Sequence, residues 1–310
     1  FAFEEERFNR VRTYKDFYKD LFRFPYECGQ NVWYNKDFDW NELDYITSHY
    51  SAKVTEEIWD GIGLGPFPKE KFIKTNHHRA HCSLAYYCSG FEEDTLVVSI
   101  DAMGEKYSAR YFIGSNGNLT DIGKISDEFK SLGHYYAMLT EFLGFRRLKD
   151  EGKVVGTASH GYFFEDFYNV FNKCVTIDGI KTDKDNGKVI SGGIYEDFYK
   201  LWFEKFGSKF TCHVKNDIAY NGQLVFEEKI LEIFNNLHKK HPTLKKVALA
   251  GGVFANVKLN KKINELEWVD EVFIAPPMGD EGIPLGSALS VHKLKNPDFK
   301  PFRLDNIYLG

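Results

Sequence analysis

Apolar and polar positions along this chain switch between two periods, and the switches mark out its elements. Thr95-Leu96-Val97-Val98-Ser99-Ile100 is a nearly unbroken apolar run ending at Asp101, the pattern of a strand buried on both faces. Tyr107–Ile113 and Leu119–Ile125 flank Asn116-Gly117-Asn118, a hairpin signal. Asp101 is therefore expected at the mouth of a three-stranded antiparallel meander. Leu132–Leu143 has the stripe of an amphipathic helix, and Tyr195–Phe206 and Gln223–His241 read as helices too. Asp150–Gly161 is punctuated by glycine and reads as a loop, and residues 174–192 read as an exposed hairpin.

Two further groups of elements complete the pattern. Upstream, Tyr45–Tyr50 reads as a strand, Ala52–Trp59 as a short helix, Lys71–Thr75 as a strand and His78–Tyr87 as a helix, after an aromatic and charged stretch, 10–42, that suits a mobile excursion or a lid-like insertion. Downstream come strand Lys246–Ala250, Gly251-Gly252, helix Val253–Asn264, strand Glu271–Ala275, the turn Gly279-Asp280-Glu281-Gly282 and helix Ile283–Leu294. That succession is a βαβ unit whose turns share one end of a sheet. The two nuclei predict an α/β protein of two lobes, residues 1–170 and 171–310.

Composition narrows the class. The 310 residues are 43% hydrophobic and 27% charged with a net charge of −5, an ordinary globular balance without the basic field that nucleic acid requires. No apolar run approaches the roughly 20 residues of a membrane span. The five cysteines lack CxxC spacing and read as reduced thiols of a cytoplasmic compartment. The chain opens on Phe1-Ala2-Phe3 and closes on Ile307-Tyr308-Leu309-Gly310, and both ends read as cuts within a longer protein.

The candidate chemistry sits at His77-His78-Arg79-Ala80-His81. His77 and His81 stand at helical i, i+4 spacing, which puts both rings on one face, where they can grip one divalent ion. Three imidazoles so close would repel if charged, and a metal keeps its ligands neutral. His78 points about 100° away, toward an outer-shell or substrate role. Asp101 and Asp280 each fall at a strand-end turn, where open α/β sheets gather ligands. Alone, each would read as a turn former. With two histidines they form the donor set of non-haem iron, zinc or manganese sites with open positions. Gly251-Gly252 before a helix can admit a phosphate to backbone N–H groups, with Asn256 one turn on. Gly192-Gly193, before a helix, offers a second site where a flat nucleoside could lie on the backbone, and Lys153 a cation near phosphates.

These stretches, with Glu4-Glu5-Glu6-Arg7-Phe8-Asn9-Arg10, Ser131-Leu132-Gly133-His134-Tyr135-Tyr136, Asp150-Glu151-Gly152-Lys153 and Leu285-Gly286, resemble the O-carbamoyltransferases of nodulation-factor and antibiotic biosynthesis. A more distant likeness is to the universal tRNA threonylcarbamoyl-transfer enzyme. The resemblance implies an actin-like, sugar-kinase-like (ribonuclease H-type) fold of two lobes. It implies that carbamoyl phosphate and ATP give carbamoyl-adenylate in a separate, downstream domain, and that this metal-bearing domain passes the carbamoyl group to a hydroxyl of a small-molecule acceptor. It assigns the metal, iron in that family with zinc or manganese as alternatives, to His77, His81 and Asp280, with Asp101 a fourth ligand or close neighbour. It assigns adenylate contacts to Ser131, Gly251, Gly252 and Asn256. His78, His134 and Asp101 remain candidates for the base that takes the acceptor's proton. The chain departs from the family at Val155-Gly156-Thr157-Ala158, where Met-Gly-Leu-Ala is usual. Competing readings are threonylcarbamoyl transfer, which needs a nucleic-acid partner, a non-catalytic nucleotide-binding lobe, and a simple metal hydrolase.

Overall fold

The structure is a computed structural model describing residues 43–61, 66–126, 131–180, 193–207 and 214–304. In chain order its elements are β1 (Ile46–Ser48), α1 (Ala52–Gly61), β2 (Phe72–Lys74), α2 (His77–Ser89), β3 (Thr95–Gly104), β4 (Tyr107–Ser115), β5 (Asn118–Ser126), α3 (Leu132–Phe142), α4 (Glu151–Ala158), α5 (Glu165–Cys174), β6 (Val175–Thr176), β7 (Gly179–Ile180), α6 (Gly193–Phe206), α7 (Lys215–Lys240), β8 (Lys246–Ala250), α8 (Val257–Asn264), β9 (Glu271–Ile274) and α9 (Ile283–Lys295). The predicted lid at 10–42 lies outside the described residues, as does most of the predicted hairpin at 174–192 beyond the short β6–β7 pair.

The central sheet runs β5-β4-β3-β8-β9. β3, β8 and β9 are parallel, and β4 and β5 form the expected antiparallel meander on β3. In order of appearance this is 3-2-1-4-5 with the second strand reversed, the sheet of a ribonuclease H-type lobe. Alternate residues of each inner strand feed opposite faces, as the period of a strand requires. Leu96, Val98 and Ile100 of β3 and Val247 and Leu249 of β8 meet α3 and α7 in one core. Val97, Ala248 and Ala250 meet Leu84, Ala85 and Cys88 of α2 in the other. A sheet covered on both faces explains why β3 and β8 read as unbroken apolar runs.

β3 and β8 are hydrogen-bonded neighbours from Thr95↔Lys246 to Ser99↔Ala250, so the boundary expected near residue 170 falls between two strands of one layer. The segment expected to be a loop, Asp150–Gly161, instead contains helix α4. Asp150 fixes its start by accepting hydrogen bonds from the Arg146 backbone N–H and guanidinium at 2.9–3.1 Å, and Val154 and Ala158 bury one face. The predicted helix 253–264 is broken: a short 3-10 turn, Gly252–Ala255, precedes Asn256, which caps α8 by accepting from the Leu259 backbone N–H at 3.0 Å.

The carboxyl ends of β3, β8 and β9 share one edge, where α/β sheets collect their ligands. Two glycines let the backbone close there. Gly251 has φ +102°, and a Cβ on it would lie 2.2 Å from the Ile100 carbonyl oxygen. Gly286 brings α9 onto α2, since a Cβ there would sit 2.0 Å from the Ala80 oxygen.

Candidate metal centre and cleft

The first turn of α2 supplies two ligand candidates. Asn76 caps the helix, accepting from the Arg79 backbone N–H at 3.1 Å, and its amide is held by Glu105 and Arg110. His77 and His81 therefore project from a fixed helix end, their ring centroids 4.8 Å apart. The third candidate, Asp101, sits where β3 shifts register against β4, between Ile100 and Gly104, an irregularity of the kind that re-aims a side chain. The fourth, Asp280, stands on the turn leading into α9, brought down by the close packing of α9 on α2.

One ligand atom from each of the four lies within 4.8 Å of the others. His81 Nε2 is 3.3 Å from Asp101 Oδ2 and 3.6 Å from Asp280 Oδ1, and His77 Nε2 is 3.7 and 3.6 Å from the same atoms. Bonds of about 2.1 Å to a shared cation place tetrahedral donors about 3.4 Å apart, so the spacing fits an ion. Hydrogen bonding also fits: His77 Nε2, both His81 ring nitrogens and Asp101 Oδ2 are buried without a hydrogen-bond partner, where each such atom costs roughly 1–3 kcal/mol. Burial disfavours a charged His81, yet Asp101 and Asp280 raise it to about 9 when no cation stands between them. Burial likewise opposes ionisation of Asp101, but the His77 and His81 rings hold it well below the usual carboxylate range.

A cleft of about 330 Å³ opens from this corner, within the size range of small-molecule sites. Asp101 and Asp280 border it, and Gly252, Val253 and Asn256, Tyr136 and Ala137 of α3, and Gly152 and Val155 of α4 line it. Of the residues predicted to touch a nucleotide, Gly252 and Asn256 line this cleft, while Gly251 donates its N–H to the Met278 carbonyl at 2.6 Å. Ser131 is buried, its hydroxyl already donating to the Ala102 carbonyl and accepting from the His134 N–H as the cap of α3. Lys153 turns outward to Asp150 at 3.0 Å, and Lys149 lines the cleft in its place. Gly193 is the first residue of α6, and Gly192 lies outside the described residues.

The base candidates separate clearly. His78 is fully buried, its Nδ1 2.8 Å from the Ser99 hydroxyl and its Nε2 2.8 Å from the Tyr107 carbonyl. Since the carbonyl can only accept, Nε2 carries the proton and Nδ1 accepts from Ser99. Burial and His77 lower its pKa to about 4. With both nitrogens engaged, His78 braces α2 against β3 and has none left for a substrate proton. His134 pairs with Arg147 through Nδ1 at 3.3 Å and is not part of the cleft lining. Asp101 alone of the three borders the cleft. Sequence reasoning missed Lys149, Tyr136 and Gln223; the last two form a buried network with Asn256.

Residues 47–289 match the family model described as carbamoyltransferase N-terminus. Two uncharacterized proteins of Methanocaldococcus jannaschii are each 31% identical, over 100% and 90% of this chain and 56% and 49% of their own lengths. Nodulation protein NolO of Bradyrhizobium diazoefficiens is 28% identical over 76% of this chain and 41% of its own. The chain thus spans about half the length, or less, of the curated relatives it matches.

Proposed function

This chain belongs to the carbamoyltransferase N-terminus family, and from that premise we propose that it is the transfer half of an O-carbamoyltransferase. In this reading it moves a carbamoyl group from carbamoyl-adenylate, made from carbamoyl phosphate and ATP elsewhere in the protein, to a hydroxyl of a small-molecule or sugar acceptor. The observation that carries the reading is the corner of unsatisfied donors opening into a nucleotide-sized cleft beside Gly251-Gly252.

His77, His81, Asp101 and Asp280 would hold one divalent cation, iron by the resemblance. When bound, the cation supplies Lewis acidity to an oxygen of a ligand in the cleft. The turn after Gly251 would offer backbone N–H groups to a phosphate, and Lys149 adds positive charge to the cleft lining. Ala137, Val155, Phe226 and Val253 give the cleft apolar walls, which shield a labile mixed anhydride from water. The division into lobes is also a proposal: the continuity of β3 with β8 favours a boundary ahead of β3 over one near residue 170. Among the described residues no helix is long and apolar enough to cross a membrane.

The test uses the full-length protein with ATP, radiolabelled carbamoyl phosphate and a panel of hydroxyl acceptors. The reading expects ATP-dependent labelling of an acceptor that stops in His81→Ala while adenylate formation continues. Undiminished transfer in that variant contradicts it.

A further inference from the structure

Behind the cleft wall lies a buried polar network that the proposed chemistry does not use. Glu227 and Gln223 of α7 are both fully buried. Gln223 Nε2 donates to Glu227 Oε1 at 2.6 Å. Gln223 and Asn256 exchange two amide hydrogen bonds, Asn256 Nδ2 to Gln223 Oε1 at 2.9 Å and Gln223 Nε2 to Asn256 Oδ1 at 3.2 Å. The Tyr136 hydroxyl donates to the same Gln223 oxygen. On the far side Lys262 and Lys258, one turn apart on α8, reach the Glu227 carboxylate at 2.6 and 3.7 Å.

The directions of these bonds follow from one group. A carboxylate can only accept, so the Gln223 atom facing it must be the NH₂. The Gln223 oxygen must then face Tyr136 and Asn256. Asn256 is left presenting its own oxygen to the N–H of Leu259, where it caps α8. Burial and the Glu227 charge raise the Tyr136 pKa, so its hydroxyl stays a donor. Tyr136 and Asn256 both line the cleft, and the lysines of α8 tie that helix to the same carboxylate.

We propose that Glu227 is a positioning residue for the cleft: through Gln223 it fixes the orientation of Tyr136 and Asn256 and the seat of α8, and so sets affinity for the nucleotide. This rests on the nucleotide reading of the cleft. The test is calorimetric titration of the full-length protein with AMP, alongside metal analysis and thermal melting. Glu227→Gln can donate as well as accept, so it frees Gln223 to flip. AMP affinity should fall about tenfold, the scale of one charge-assisted hydrogen bond, with bound metal unchanged. A merely structural role would lower the melting temperature and leave AMP affinity, measured well below it, unmoved; that result overturns the inference alone. Wild-type protein with no AMP affinity overturns the nucleotide reading and the inference with it. Should Glu227→Gln fail to fold, the half-exposed pair is changed instead: Lys258→Ala with Lys262→Ala should weaken AMP several-fold, and unchanged affinity there counts equally against the proposal.

Discussion

Two buried polar clusters face the same cleft, and they are finished to different degrees. In the network of Tyr136, Gln223, Asn256 and Glu227 each side chain reaches the next, and two lysines close it from outside. In the corner of His77, His81 and Asp101, four buried ring or carboxylate atoms have no hydrogen-bond partner, although one ligand atom from each of these residues and from Asp280 stands within 4.8 Å of the others. A protein tolerates buried polar atoms when they are satisfied. The first cluster is bonded within the chain, its one orphaned oxygen, Glu227 Oε2, facing the Lys262 ammonium at 2.6 Å; the unfinished one is arranged for something from outside.

Substitutions should separate the two sharply. His81→Ala removes a donor from the unfinished corner and should lower cation affinity by about a hundredfold or more, beyond the effect of losing an outer-shell partner. Gln223→Ala should leave cation affinity unchanged, and a competition titration with a chelating dye reads both. If Gln223→Ala costs as much cation as His81→Ala, the clusters are not distinct in kind.

A smaller effect is set by pH. Without a cation, His81 is raised from 6.5 to about 9. Its contribution to folding stability is then full below pH 6.5 and lost as pH rises through 9. Cation binding needs the neutral ring and must expel that proton, so affinity should fall about tenfold per unit as pH drops below 9. The cation-induced rise in melting temperature should therefore shrink from pH 9 toward 6.5, opposite in sign to the trend of the metal-free protein. A rise independent of pH across that window would remove His81 from the ligand set. The smallest effect belongs to the finished cluster: Asn256→Ala loses the cap of α8 and should cost about 1 kcal/mol of stability in urea melts, with cation affinity intact.

Much of this was legible in the residues. The continuous apolar runs of β3 and β8 and the turn at Asn116-Gly117 locate the sheet and its meander, because burial on both faces leaves a local trace. The i, i+4 spacing of His77 and His81 is equally local. What was not legible depends on distance or on disguise. Pairing of β3 with β8 joins residues about 150 positions apart, and nothing near either strand records that the two nuclei share one sheet. Lys153 and Lys149 differ only by which side of α4 they reach, once the glycine-bearing stretch is seen to be a helix at all. His78 looked reactive because it sits between ligands; its two hydrogen bonds come from strands remote in sequence. Gln223 and Glu227 read only as part of a helix, although they fall in register with Ala219, Phe226 and Ile230, all buried. Polar residues interrupting that stripe were the available signal.

The central claim is that the corner formed by α2, the end of β3 and the turn before α9 holds a cation. Its most direct test is the metal content of the full-length protein, purified without oxygen and dialysed at pH 8 against limiting iron, zinc or manganese. The account predicts close to one retained ion per chain, reduced to background in His81→Ala. Protein that retains none of the three metals, or that keeps its ion in the variant, would contradict it.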